Sequence, residues 1–169
     1  MKYSFLIALA FIVFACNKKD DPPVVVDPID PADKAKATAL SDFLQNDKLR
    51  LTKYYSETPI DYIDTDQVET LETELWQYVS LWLKDDAYSF DPSGNVTIEQ
   101  NADRISTDTA AILTRHYEVF ADEDGVGFDF IGHEYQDLPY RLISFSDTNL
   151  VVSAQWNGKK VISEYHIVP

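Results

Sequence analysis

Three histidines carry the side chains best suited to acid–base or metal chemistry in this sequence. His116, His133 and His166 are widely separated, and no two of them lie one helical turn apart. Glu134 follows His133, but the second histidine that a zinc-protease helix needs is absent. From sequence alone, a metal site that the fold assembles from all three histidines stays open as an alternative to solvent-exposed or hydrogen-bonded imidazoles.

No nucleophile or phosphate-binding motif accompanies the histidines. The chain contains neither a Gly-x-Ser-x-Gly elbow nor a glycine-rich phosphate loop, and its only cysteine is Cys16. A carboxylate pair could serve as acid and base only if burial kept one carboxyl protonated, and 29 acidic residues make some close pair unavoidable in any fold. We therefore predict no catalytic residue, no bound metal and no cofactor, and we predict that the protein is not an enzyme.

Two acidic clusters have the residue type that binds calcium, which prefers oxygen ligands. Neither cluster matches the known calcium-binding loop, which needs ligands at alternate positions and a distal glutamate. We predict turn and helix-capping roles for both, with Asp66 as a helix N-cap and with calcium binding as the alternative. The clusters are Asp61, Asp64 and Asp66, and Asp122, Glu123, Asp124 and Asp129.

The composition of the chain indicates one acidic globular domain with additional segments. Its 169 residues include 14 Lys and Arg against 29 Asp and Glu, which gives a formal net charge of −15. This charge argues against a nucleic-acid partner, because phosphate binding requires lysine and arginine. Hydrophobic residues at 45% and aromatic residues at 13% are too many for a disordered chain, so we expect a packed core.

Residues 1–15 have the pattern of a secretory signal peptide. Lys2 supplies a positive charge, and the apolar run Ser4–Ala15 is shorter than the ~20 residues that a membrane span requires. The run ends at Val13-Phe14-Ala15-Cys16, which resembles the lipobox of bacterial lipoproteins. The resemblance implies that the thiol of Cys16 carries lipid and anchors the protein to a membrane. An ordinary signal peptide with an incidental cysteine is the alternative.

Residues 16–33 connect this anchor to a folded domain that we assign to residues 34–169. Asn17-Lys18-Lys19-Asp20-Asp21 resembles the export signal of surface-exposed lipoproteins in the Bacteroidota. The resemblance implies an outer membrane lipoprotein exposed at the cell surface, with the periplasmic face or a simple solvated charge run as alternatives. Several prolines and aspartates follow and favour an extended polyproline II tether, which rises about 3.1 Å per residue.

Two segments have the spacing of helices. Ala35–Gln45 places three apolar side chains on one face, with Asp33 as its N-cap. Asp66–Lys84 has a capping-box pattern at its start and a longer apolar stripe with three- and four-residue spacing. The stripe consists of Val68, Leu71, Leu75, Trp76, Val79, Trp82 and Leu83.

The rest of the domain alternates apolar and polar residues with the period of β-strands. A first strand at Leu49–Tyr55 ends before Pro59, and Asn157-Gly158 is a strong hairpin signal. The other predicted strands are Ala87–Phe90, Val96–Glu99, Ala110–Ala121, Val126–Phe130, Tyr140–Ser146, Leu150–Trp156 and Val161–Val168. About eight strands with tight turns predict a mainly β fold, an antiparallel up-and-down barrel with one short N-terminal helix and one amphipathic helix between the first two strands. A two-sheet sandwich is the competing fold.

Two segments resemble the lipocalin-like domains of Bacteroidota lipoproteins. They are DDAYSFDPSGNV at residues 85–96 and YRLISFSDTNLVV at residues 140–152. The resemblance covers the chain from about Asp47 to its C-terminal end. It implies a lipocalin-like barrel that binds a small apolar or amphipathic molecule without catalysis.

In such barrels the first connection between strands lies over the open mouth, so we expect the segment Asp66–Lys84 to cap the barrel. Ligand contacts are then expected from aromatic residues of the cap and of the barrel, which are Trp76, Tyr78, Trp82, Tyr88, Phe90, Phe128, Phe130 and Trp156. The alternative is a barrel filled by its own side chains, which binds a protein or glycan through outer aromatics. Those would be Tyr54, Tyr55, Tyr62 and Tyr135. An enclosed space of a few hundred Å³ would favour the ligand.

A short motif predicts a covalent modification. Asp108-Thr109-Ala110 resembles the three-residue O-glycosylation acceptor of exported Bacteroidota proteins. The resemblance implies a glycan on Thr109, and chance occurrence of so short a motif is the alternative.

Overall fold

The computed structural model describes residues 29–61, 71–104, 111–131, 139–156 and 158–169. Within these ranges, no helix is long and apolar enough to cross a membrane. The elements are, in chain order, α1 (Pro31–Asn46), β1 (Lys48–Asp61), β2 (Leu71–Glu74), a 3₁₀ helix (Trp76–Tyr78), α2 (Leu81–Asp85), β3 (Ala87–Phe90), β4 (Asn95–Glu99), β5 (Ile112–Asp122), β6 (Gly125–Ile131), β7 (Tyr140–Phe145), β8 (Asn149–Trp156) and β9 (Lys159–Val168).

Eight of these strands form a closed antiparallel barrel. From β3 to β9 each strand pairs with the next one, and β1 pairs with β3 on one side and with β9 on the other. Residues 48–55 of β1 and 162–168 of β9 close the ring. β2 pairs only with residues 55–61 of β1 and lies outside the ring. The predicted mainly β fold and its up-and-down barrel are therefore confirmed, and the sandwich is excluded.

The lower end of the barrel carries the three tight turns β3–β4, β5–β6 and β7–β8. In the first turn, the Asp91 carboxylate accepts hydrogen bonds from the backbone N–H groups of Ser93 and Asn95 at 2.8 and 3.0 Å. These bonds hold the pKa of Asp91 below its usual range, chiefly through Asn95. Gly94 has φ +80°, which a residue with a Cβ rarely adopts. The Pro-Ser-Gly-Asn sequence of residues 92–95 therefore forms a tight turn between β3 and β4.

Helix α1 covers the lower end of the barrel. It begins at Pro31, and the side chain of Asp30 accepts a hydrogen bond from Ala32 N at 2.8 Å, so that Asp30 and not Asp33 is the N-cap. Leu40 and Leu44 are completely buried in the main core. The helix is longer than predicted because a proline at the first helical position fits a helix start, where its missing N–H costs nothing.

The predicted continuous helix Asp66–Lys84 is wrong for the residues that the structure describes. A short helix, α2, does lie between the first two barrel strands, but Leu71–Glu74 form strand β2. The backbone N–H and C=O groups of residues 55–61 of β1 need hydrogen-bond partners, and β2 supplies them. Strand pairing therefore overrides helix propensity here. The proposed N-cap Asp66 and its capping box lie outside the described residues.

Strand β1 continues through Pro59, where the sequence predicted its end. The register of β1 against β2 is irregular between Tyr55 and Ile60, so the missing N–H of Pro59 interrupts no regular ladder. Beyond this irregularity Ile60 is 2% exposed and packs with Leu75 and Val161. The upper half of β1 thus becomes part of the structure that closes the upper end of the barrel.

Candidate functional site

The centre of the barrel holds a very small void. Its volume is about 10 Å³, which is roughly the space that one water molecule needs. Ligand pockets for drug-sized molecules measure about 300 Å³ or more. The void is lined by Leu49, Tyr88, Phe90, Phe128, Phe130, Leu150 and Tyr165.

Aromatic rings fill the interior by packing on one another. Phe90 meets Phe128 edge to face at 6.0 Å between ring centroids, and Tyr88 meets Tyr165 in the same way at 6.0 Å. Phe128 also stacks on Tyr140 at 5.1 Å. Such contacts are favourable ring geometries. Four of the predicted ligand residues, Tyr88, Phe90, Phe128 and Phe130, therefore lie together as expected, but they contact each other.

The connection from β2 to β3 covers the upper end of the barrel. Trp76 packs against the main core, and Lys84 Nζ lies 4.9 Å from its ring centroid. Tyr78 packs on the smaller cluster of Ile60, Leu75 and Val161. Trp82 is half-buried in α2. We name β2 and this connection together, residues 71–86, the cap. The cap occupies the position that the lipocalin-like resemblance implies for it.

Trp156 and the described tyrosines that were expected on the outer surface do not line the void. Trp156 is 39% exposed at the upper end of β8 and does not line the void. Tyr54, expected on the outer surface, pairs with Ser163 and packs against both inner clusters, so its predicted outward position is wrong. Tyr55 occupies the outer face and interacts with Glu164. Tyr62 and Tyr135 lie outside the described residues.

Above the void, two polar side chains face the interior and carry buried atoms without hydrogen-bond partners. Asp86 is 1% exposed and Gln100 is 4% exposed. Ala87 pairs with Glu99 in the β3–β4 ladder, so Asp86 and Gln100 occupy the next facing positions. Side chains alternate between the faces of a strand, which places Asp86 on the inner face with Tyr88, and Gln100 with Ile98. Asp86 Oδ1 and both amide atoms of Gln100 have no hydrogen-bond partner.

Asp85 holds the backbone around this polar pair in place. Its Oδ2 atom accepts a hydrogen bond from Asp103 N at 3.1 Å, and its carbonyl oxygen accepts one from the side-chain amide of Asn101. Gln100 N also donates to Ala111 O at 2.8 Å. The two hydrogen bonds of Asp85 tie the segment after β4 to the end of α2. Asp85 Oδ1 is itself buried and has no hydrogen-bond partner.

The surroundings of the polar pair favour neutral groups. Burial, together with the neighbouring charge of Asp85, raises the pKa of Asp86 to about 7. Burial also raises the pKa of the Tyr88 and Tyr165 hydroxyls far above their ordinary range, so both stay protonated. No lysine, arginine or histidine among the described residues forms an ion pair with Asp86. The upper interior therefore holds buried polar atoms that the described part of the protein leaves without hydrogen-bond partners.

Sequence reasoning missed Asp86 and Gln100 as functional candidates. The signal was present, since Asp86 lies two residues before Tyr88 and Gln100 two residues after Ile98, in alternating segments. The sequence patterns included Asp86 only in the lipocalin-like segment at residues 85–96 and gave it no role of its own. A polar residue that continues an inward-facing series is the pattern that could have identified it.

A larger concave region lies between α1 and β5 at the lower end. This open groove has a volume of about 330 Å³. At its base, the Tyr117 hydroxyl donates a hydrogen bond to Asp91 O at 3.0 Å and accepts one from Gln45 Nε2 at 3.3 Å. The protein itself therefore supplies the hydrogen-bond partners of the Tyr117 hydroxyl, and this group needs no ligand.

The residues considered for metal binding are not assembled within the described ranges. No group of three or more His, Cys, Asp or Glu residues there is placed to share a metal ion. His116 and His166 are exposed, and His133 lies outside the described residues. The Asp122 carboxylate pairs with Arg141 through a 2.9 Å hydrogen bond and also accepts one from Asp124 N.

The acidic cluster before the cap and the lipid and glycan sites fall largely outside the described residues. Asp64, Asp66, Cys16 and Thr109 all do so, whereas Asp61 ends β1.

Comparisons with known protein families, with curated proteins and with solved structures found no match to this chain. The closed barrel itself is compatible with the lipocalin-like fold and with ligand binding.

Proposed function

We propose that this protein is a lipid-anchored, non-catalytic surface protein whose filled barrel supports an outer binding surface for a macromolecular partner. The observation that carries the proposal is the central void of about 10 Å³, which leaves no room for an apolar ligand of ordinary size. Both ends of the barrel are also covered, the lower one by α1 and the upper one by the cap. A filled barrel of this kind is a rigid scaffold.

Exposed apolar side chains favour the upper end as the binding surface. Five large ones lie at or near it, on β2, α2, β5, β6 and β8, and we name this set the upper rim. Apolar side chains grouped at the surface of a soluble domain often mark an interaction site. The upper rim consists of Leu71, Leu81, Ile112, Ile131 and Trp156, which are 39–65% exposed.

The membrane anchor rests on the sequence at Cys16. The lipobox-like residues before it and the Lys-Asp-Asp stretch after it support an outer membrane lipoprotein at the cell surface, with the periplasmic face as the alternative. Two or more acyl chains give stable attachment, whereas one gives only marginal binding. The tether precedes α1 in the sequence, and the upper rim lies at the end of the barrel opposite α1.

Photo-crosslinking on intact cells tests the upper rim. A photoreactive residue replaces Ile112 or Leu81 in one pair of variants, and it replaces Lys36, an exposed residue of α1, in the control. We expect discrete crosslinked products from positions 112 and 81 only. Equal crosslinking from position 36, or none from the rim, would contradict an upper-end binding surface.

A small apolar or amphipathic ligand remains the second candidate function, because four of the eight predicted aromatic residues line one common void. A ligand would have to separate Tyr88, Phe90 and Phe128. Titration with fatty acids, bile acids and porphyrins, followed by tryptophan emission, tests this candidate. We expect no saturable change, since Trp76 already packs on the main core. A saturable change would favour the ligand over the filled scaffold.

A further inference from the structure

The upper interior gathers hydrogen-bond acceptors that the protein does not satisfy. Asp86 Oδ1 and Gln100 Oε1 are buried and unpartnered at the two positions next to the Ala87–Glu99 pair, just before β3 and just after β4. Asp85 Oδ1, in the last residue of α2, is also buried and unpartnered. Buried polar atoms without partners are rare in folded proteins, because each loses its bonds to water. Such atoms commonly mark a bound group.

The chemistry of these atoms points to a donor with positive charge. The three oxygens accept hydrogen bonds, and Gln100 Nε2 is the one unpartnered donor that these three described side chains contain. Two adjacent carboxyl groups create a negative potential, and no described cationic side chain forms an ion pair with Asp86. An ammonium group supplies several N–H donors and a compensating charge in the volume of a water molecule.

We propose that the upper interior of the barrel binds an ammonium group, either as the free ion or as the head of a primary amine, between Asp86 and Gln100. The group donates hydrogen bonds to Asp86 Oδ1 and Gln100 Oε1. Tyr88 lies below it on the same inner face and lines the central void of about 10 Å³. The site is independent of the surface interaction proposed above, since it lies inside the barrel and uses none of the upper rim.

Salt titrations of the full chain in a non-ionic detergent at pH 8 test the site. Ammonium and methylammonium chloride are compared with sodium and tetramethylammonium chloride at equal ionic strength, because the last two carry no N–H donor. We expect a saturable rise of a few degrees in melting temperature, and shifted Gln100 side-chain amide resonances, with the N–H donors alone. A response to ammonium only indicates the free ion, and a response that extends to methylammonium and longer alkylamines indicates an amine ligand.

Two variants and a control locate the effect. Asp86→Asn and Gln100→Met should each abolish the response, whereas Asp147→Asn on the exposed β7–β8 turn should keep it. A measurement on the unmutated protein guards against misfolded variants: ammonium should lower the pKa of Asp86, followed by its carboxyl ¹³C signal, relative to tetramethylammonium. Equal responses to all four salts, or an ammonium response that survives Asp86→Asn, would overturn the proposal.

Discussion

At the scale of single residues, Asp86 couples the stability of the barrel to pH. Its pKa is raised from 3.8 to about 7 in the folded state, mainly by burial. The folded protein therefore binds more protons than the unfolded chain between these values, and the free energy of unfolding falls as the pH rises through this window. Carboxylates with lowered pKa values, such as Asp122 beside Arg141, act in the opposite direction and only at lower pH.

Replacing Asp86 by asparagine should remove this pH dependence. Relative to the unmutated protein, Asp86→Asn should gain about 2 to 3 kcal/mol between pH 5 and pH 8, because the variant has no carboxyl to ionise. Urea unfolding at both pH values measures the difference, with Asp147→Asn as the exposed control. A difference that stays constant between the two pH values would show that Asp86 titrates normally.

Gly127 is required by packing on the outer face of β6. An added Cβ would lie 2.2 Å from Tyr140 O and 2.7 Å from a ring carbon of Phe120. The Phe120 ring lies across the glycine, and the Arg141 guanidinium stacks on that ring at 4.8 Å. We expect Gly127→Ala to destabilise the protein by about 2 kcal/mol or more in thermal or urea unfolding.

The double variant Gly127→Ala, Phe120→Ala separates the two contacts at this position. Removing the ring should restore only part of the lost stability, since the carbonyl oxygen of Tyr140 cannot move away. Complete recovery of the free energy of unfolding would mean that the Phe120 ring is the group that excludes a Cβ at position 127.

At the scale of elements, α1 is an integral part of the barrel's core. Leu44 is fully buried among barrel side chains, and Phe43 packs on Phe145 at 5.3 Å between ring centroids. Leu44→Ala should cost about 2 to 5 kcal/mol in the free energy of unfolding, by lost burial and a new cavity. The exposed control Lys36→Ala in the same helix should change it by less than about 0.5 kcal/mol. A cost below about 1 kcal/mol for Leu44→Ala would show that the helix is only loosely attached.

The elements also show how far sequence patterns determine this fold. Period-two alternation identified the barrel strands, since inward residues such as Phe128 and Val152 must be apolar along every strand. The same reasoning failed for residues 71–80, where an apolar stripe at helical spacing enters the core as a strand and a 3₁₀ turn. Leu75 and Val79 are buried as expected. Whether a helix or a strand followed by a 3₁₀ turn buries these residues depends on the unpaired edge of β1. A local sequence pattern contains no information about the edge of another strand.

The candidate site was predictable to a lesser degree. Alternation correctly grouped Tyr88, Phe90, Phe128 and Phe130 on one inner face. Whether such rings surround a ligand or fill the space themselves depends on barrel diameter and side-chain volume, and an eight-stranded barrel permits both. The unpartnered state of Asp86 depends on tertiary contacts, so the sequence could place its side chain but not its lack of partners.

At the scale of the whole molecule, the lipid that we propose on Cys16 would determine where the barrel works. The protein should incorporate a palmitate analogue and sediment with membranes, whereas Cys16→Ser should do neither, because no other cysteine is present. Asn17→Ser serves as the matched control and should behave like the unmutated protein. A soluble, unlabelled product from the unmutated gene would instead indicate an ordinary signal peptide.

The scaffold function that we propose requires a filled barrel interior, and crystallography under xenon pressure tests directly whether the interior is filled. Xenon enters apolar cavities that are large enough to hold it, including those made by removing a core side chain. We expect no xenon inside the unmutated barrel and an ordered xenon atom in Phe128→Ala, which enlarges the void of about 10 Å³. Xenon or any other guest bound among the aromatic rings of the unmutated protein would show that the barrel is a container and would contradict the scaffold proposed here.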